Sequence, residues 1–101
     1  MELSTQKNKQ SLFIEIIGPI DNENAEDLKD NLREILGEDF KEVIIDLSYV
    51  PFITSSGIGK FLLFYKNIIA SGRSMRIKGI SENLYDLFRS IKLDQLFSIQ
   101  K

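Results

Sequence analysis

The chain of 101 residues contains no histidine, no cysteine and no tryptophan. Without histidine there is no Ser-His-Asp triad, no Cys-His dyad and no histidine-ligated zinc. Without cysteine there are no disulfides, no thiol nucleophile and no thiolate metal site. No apolar run approaches the roughly 20 residues that span a bilayer, so membrane insertion is not expected. A basic excess is missing too: Lys and Arg total 13 against 15 Asp and Glu, for a net charge of −2. Nucleic acid is therefore not an expected partner. The segment "SSGIGK" is not a phosphate-binding loop of a known nucleotide motif. Phe61 follows Lys60 where a Walker loop needs Ser or Thr, and Leu62 stands at the third glycine position of the dinucleotide fingerprint. No cofactor, no metal and no enzymatic activity are expected.

What remains is an ordinary globular composition, 43% hydrophobic and 28% charged, in a length that suits one domain over 1–101. Met1 leads into polar sequence with no signal peptide, so a cytoplasmic location is expected. A short strand near Leu3–Gln6 and the turn "KNKQ" precede "SLFIEIIG", whose alternation predicts a half-buried strand stopped by Gly18-Pro19. "IDNENAEDLKDNLREILG" predicts a helix with Ala25, Leu28, Leu32, Ile35 and Leu36 on one face. Asn22 or Asn24 would cap its start, and Gly37 would close its end in a left-handed conformation. "EVIIDLS" is nearly continuous and β-branched, as in a parallel strand covered on both faces. After the loop "YVPFITSSG", a second helix is expected with Ile58, Phe61, Leu62, Tyr65, Ile68 and Ile69 on its apolar stripe and Gly72 at its end. "MRIKGI" predicts a strand. Ser81 would cap a third helix facing inward with Leu84, Leu87, Phe88 and Ile91, and "LFSIQ" a last short strand. The order β-β-α-β-α-β-α-β predicts an α/β fold with a mixed, mostly parallel sheet of four to five strands and at least three helices.

Ser55 and Ser56 sit at the junction between a strand and a helix, followed by Gly57, Ile58 and Gly59. Three readings compete. A serine can cap the helix, with Gly57 permitting a tight turn and Gly59 close packing. The loop can hold an anion. Or a serine can be modified by another protein, because a phosphate at a helix N-terminus adds charge without unfolding anything. Self-contained serine catalysis is the weakest reading, with Lys60 as the single nearby candidate base.

Here the residues carry a resemblance. "VIIDLSYVPFITSSGIGKFLLFYK" resembles the signature of the STAS domain family, which bacterial anti-sigma factor antagonists share with sulfate-transporter tails. "IIGPIDNENAEDLKDNL" and "SMRIKGISENLYDLFRSIKLDQLFSI" resemble the second strand with first helix and the last strand–helix–strand unit, so the likeness covers nearly the whole chain. The resemblance implies a phosphorylation-switched binding module that regulates transcription, not an enzyme. Its partner would be an anti-sigma factor with serine/threonine kinase activity, which phosphorylates Ser56. It also implies partner contacts from Asp21, Thr54, Ser55, Ser56, Gly57 and Ile58. Asp21 matches an acidic residue beside the phosphorylation site, although on its own chemistry it can equally start the first helix. Relatives often carry aspartate where this chain has Thr54, and many continue into a further helix beyond the position of Lys101, so part of the usual C-terminal packing is expected to be absent. Of Tyr49, Val50, Pro51, Phe52 and Ile53, some must plug the core; Phe52 is expected there, and Tyr49 or Phe52, if exposed, would anchor a partner. Alternative roles are a scaffold in a signalling complex, with weak self-association, and an accessory module of a lipid or small-molecule transport ATPase.

Overall fold

The computed structural model describes residues 1–101. Five strands, β1 (Glu2–Asn8), β2 (Ser11–Ile17), β3 (Glu42–Tyr49), β4 (Ser74–Ile80) and β5 (Ser98–Gln100), form one sheet in the spatial order β1-β2-β3-β4-β5. β1 pairs antiparallel with β2, and every later neighbour is parallel. Three helices make the parallel connections: α1 (Ala25–Leu36), α2 (Ser55–Ala70) and α3 (Glu82–Ser90). The mixed α/β architecture expected from the sequence is the one found.

Strand order never reverses, so right-handed crossovers that all step in one direction leave all their helices on one face. The core shows this directly. Leu12, Ile14 and Ile16 of β2, Val43, Ile45 and Leu47 of β3, and Met75 and Ile77 of β4 join one apolar cluster. Leu28, Leu32 and Ile35 of α1, Phe61, Phe64 and Ile68 of α2, and Leu84 and Phe88 of α3 belong to the same cluster. The opposite sheet face carries Phe13, Glu15, Asp46 and Lys78 around an open hollow of about 610 Å³. The expectation that β3 is covered on both faces is therefore corrected. Ile44 is buried outside the main cluster, flanked in register by Phe13 on β2 and Arg76 on β4 rather than by a helix.

Other local expectations change for identifiable reasons. Phe64, and not Ile69, belongs to the buried side of α2; Ile69 is exposed. The true stripe, Gly57-Phe61-Phe64-Ile68, lies to one side of the stripe read from the sequence, because α2 is apolar nearly all round and periodicity alone fixes its orientation poorly. On α3, Leu84 and Phe88 are buried while Leu87 and Ile91 are exposed. Gly37 closes α1 in a right-handed conformation, φ −80°, whereas Gly72 follows α2 at φ +78°. A 3₁₀ turn at Leu93–Gln95, entered through Lys92 at φ 65°, precedes β5 and buries Leu93. No helix is long and apolar enough to cross a membrane.

Candidate functional site

The C-terminal ends of β2 and β3 release two loops that run side by side. Gly18 N–H donates to the Tyr49 carbonyl at 3.0 Å and Ile20 N–H to the Phe52 carbonyl at 3.1 Å. Thr54 N–H then donates to the Ile20 carbonyl at 2.9 Å, and Ile20 and Ile53 form a parallel bridge. This ladder stitches the segment ending at Asp21 to the segment leading into Ser55. The two stretches singled out in the sequence are thus neighbours, 34 positions apart between Ile20 and Thr54 though they are.

The ladder also sets where α2 begins. Thr54 is still extended, φ −80° and ψ 169°, and serves as the N-cap. Neither serine caps the helix; they are its first two residues, and both are exposed. The capping expectation for the serines is corrected accordingly. Thr54 itself makes no side-chain capping bond, and its Oγ1 is buried without a partner. Ile58 N–H is the amide that closes the first turn, on the Thr54 carbonyl at 3.0 Å. The amides before it face out of the helix end, where the dipole favours negative charge.

Gly57 is buried beneath the serines. A Cβ there would lie 2.6 Å from Ile20 Cγ2 and 2.8 Å from Ile53 Cγ2. Glycine is needed for close approach of α2 to the bridged loops, not for a tight turn. Gly59 has open space around it, so the close-packing role belongs to Gly57 instead. Ile58 is half-buried against the core.

Asp21 is half-buried and its carboxylate is occupied locally. Oδ1 accepts from Glu23 N–H at 2.9 Å and from Asn24 N–H at 3.0 Å. In return Asn24 Oδ1 accepts from Asp21 N–H at 2.9 Å, and Asn24 Nδ2 donates to the Pro19 carbonyl at 3.0 Å. The two side chains organise the turn that leads into α1. Asn24 occupies the N-cap position without capping by its side chain, which is spent on Asp21 and Pro19.

At the end of β3 and in the loop after it, the chain turns its aromatic residues outward. Val50 and Ile53 are buried, while Tyr49 is 62% and Phe52 49% exposed. The expectation that Phe52 is a core residue is therefore corrected: the ladder gives its carbonyl to Ile20 at 3.1 Å and its ring lies outside. Ile17, which pairs with Tyr49, is exposed as well. Ile17 and Tyr49, paired at the ends of β2 and β3, and Phe52, in the loop that leads to Ser55, are thus exposed apolar side chains. Sequence patterning missed Ile17 because it sits on the solvent side of an alternating strand, where a single apolar residue carries no signal.

One flank of the serine pair is charged. Glu26 of α1 holds Lys29 Nζ at 2.8 Å and Lys60 Nζ of α2 at 3.3 Å, on different carboxylate oxygens. Lys29 first and Lys60 second, by hydrogen bonding and by charge, keep the Glu26 carboxyl below its ordinary range. No group of three or more acidic side chains is placed to hold a metal ion.

The STAS domain family profile matches residues 2–101. The anti-sigma-B factor antagonist of Bacillus subtilis (strain 168) is 27% identical over 99 residues, covering 98% of this chain and 90% of that protein. An anti-sigma-factor antagonist (STAS) domain protein from Planctomyces limnophilus has a similar fold. Its TM-score is 0.86 at 15% identity, over 98% of this chain and 88% of that one. The Bacillus cell fate determinant SpoIIAA, solved in its phosphorylated form, gives a TM-score of 0.75 at 15% identity, over 99% of this chain and 92% of that one.

Proposed function

The chain belongs to the STAS domain family, and from that premise we propose that it is an anti-sigma factor antagonist switched by phosphorylation of Ser56. It is a regulatory binding module and not an enzyme. In the unmodified state it sequesters an anti-sigma factor that is also a serine kinase, which frees the sigma factor without any contact to DNA. The partner's kinase activity then phosphorylates Ser56 and ends the complex. The protein works in the cytoplasm, where that machinery operates.

One observation carries this reading: Ser56 is exposed in the first turn of α2 while the residue after it, Gly57, is seated on the core. The hydroxyl is presented on a rigid base. Tyr49 and Phe52 supply exposed aromatic anchors on the segment that leads to it, and such side chains give large contact area at small entropic cost. A phosphate adds about −1.5 to −2 charges and three acceptor oxygens. At a helix N-terminus that charge leaves the fold intact. Facing a surface matched to a neutral hydroxyl, it meets desolvation and like-charge penalties. A protein of the same fold has been solved in a phosphorylated form.

The test is to incubate the chain with the candidate kinase and ATP, follow phosphate by intact mass and titrate binding by calorimetry. Ser56→Ala is expected to bind the partner and never be released, and Ser55→Ala still to be phosphorylated. Phosphate incorporation into Ser56→Ala at the wild-type level sinks the site. Equal partner affinity of the unmodified and Ser56-phosphorylated chains sinks the switch.

A further inference from the structure

Each of α1 and α2 leaves the end of one parallel strand and returns to the start of the next. Their N-terminal turns therefore lie at the same end of the sheet. Glu26 is the second residue of α1, and Ser56 the second of α2. Between the two helices, Lys60 Nζ reaches Glu26 Oε1 at 3.3 Å. Lys60 also stands four residues after Ser56 in the same helix. Residues so spaced share a face, with Cβ atoms about 5–6 Å apart. Helical side chains lean toward the N-terminus, so the long arm of Lys60 runs back toward the serine.

We propose that Lys60 is the receptor for the phosphate on Ser56, and that it leaves Glu26 to take up that role. The proposal rests on Ser56 as the modified residue. Its driving force is a difference in charge: a phosphate offers about −1.5 to −2 charges and three acceptor oxygens, where Glu26 offers a single carboxylate that is 65% exposed. Release costs Glu26 little, because Lys29 keeps its other oxygen at 2.8 Å. The exchange cuts the ion pair between α1 and α2 and draws a cation onto the serine face. Phosphorylation thus rearranges the charged flank of the site as well as the serine itself. The spacing is selective. Ser55 has Gly59 at its i+4 position, and Lys60, five residues on, lies about 140° around the helix from it.

Phosphoserine installed at position 56 during translation tests this without any kinase, so a failure of the kinase reading is seen separately in the phosphorylation assay. Phosphorus NMR would follow the second ionisation of the phosphate, and carbon NMR the Glu26 carboxyl. In the otherwise unaltered chain the phosphate midpoint is expected a few tenths of a pH unit or more below that in Lys60→Gln, with Lys60→Arg restoring the low value. Phosphorylation is expected to raise the Glu26 midpoint more in the chain with Lys60 than in Lys60→Gln, since direct repulsion acts in both and loss of the lysine in one. Phosphoserine at position 55 should show no dependence on Lys60. Equal phosphate midpoints with and without Lys60 would overturn the receptor. An equal rise of the Glu26 midpoint in both chains would overturn the exchange, and so the proposal.

Discussion

Gly57→Ala puts the packing beneath the serine pair to a direct test. The added Cβ would meet the γ2 methyls of Ile20 and Ile53 at 2.6 and 2.8 Å, roughly 1 Å inside the usual carbon–carbon contact of about 3.5–4.0 Å. Neither methyl can swing away cheaply. Both isoleucines are buried, at 0% and 6% exposure, both are β-branched and stiff at χ1, and the backbone bridge between them fixes their spacing. Overpacking of this kind costs about 1–3 kcal/mol. Alanine's better helix propensity returns up to about 1 kcal/mol. With the full return the net expectation is a loss of up to about 2 kcal/mol, or a fall of up to roughly 16 °C in Tm for a domain of this size, and a deficit of about 1–3 kcal/mol against Gly59→Ala. Gly59→Ala is the internal control: its Cβ meets nothing within 4 Å, so the propensity gain of up to about 1 kcal/mol stands alone. Urea titrations and thermal melts of both variants read the difference. If Gly57→Ala proves as stable as Gly59→Ala, the close approach of α2 to the bridged loops is wrong.

Thr54→Val removes a buried hydroxyl that has no partner and keeps the branched shape, so stability should hold or rise by up to about 1 kcal/mol in a denaturant titration; a loss above about 1 kcal/mol would mean the hydroxyl is bonded. Tyr49→Ser with Phe52→Ser should weaken anti-sigma factor binding at least tenfold in calorimetry. Because both rings are exposed, the pair should change unfolding free energy by less than about 1 kcal/mol; unchanged affinity would remove the two rings from the interface. Glu26→Gln tests the charged flank. The folded-state carboxyl is held low by Lys29 and Lys60, so its contribution is complete above the ordinary carboxylate range and fades as pH falls through the depressed value. Wild type should exceed Glu26→Gln in Tm at neutral pH and converge with it in acid, and a gap that widens in acid would contradict the pairing.

Much of this molecule was legible along the chain because its signals are local. Alternation in β2, the i, i+3, i+7 face of α1 and the Ser81 cap of α3, which accepts from Leu84 N–H at 3.3 Å, each depend on residues a few positions apart. The exposed pair Ser55–Ser56 at a strand–helix junction was legible for the same reason. Three things were decided only by tertiary contact. Ile20 and Ile53 had to pair before Thr54, and not a serine, could become the N-cap, and before Gly57 could owe its lack of a side chain to close packing. The orientation of α2 was set by the sheet it covers, since a helix apolar nearly all round carries no preferred face of its own. Lys60 met Glu26 because two parallel crossovers laid the starts of α1 and α2 at one end of the sheet. Backbone pairing and ion pairing across 34 positions, as for Glu26 and Lys60, leave no periodic trace in a sequence, because the distance that matters is set by the fold and not by the spacing along the chain.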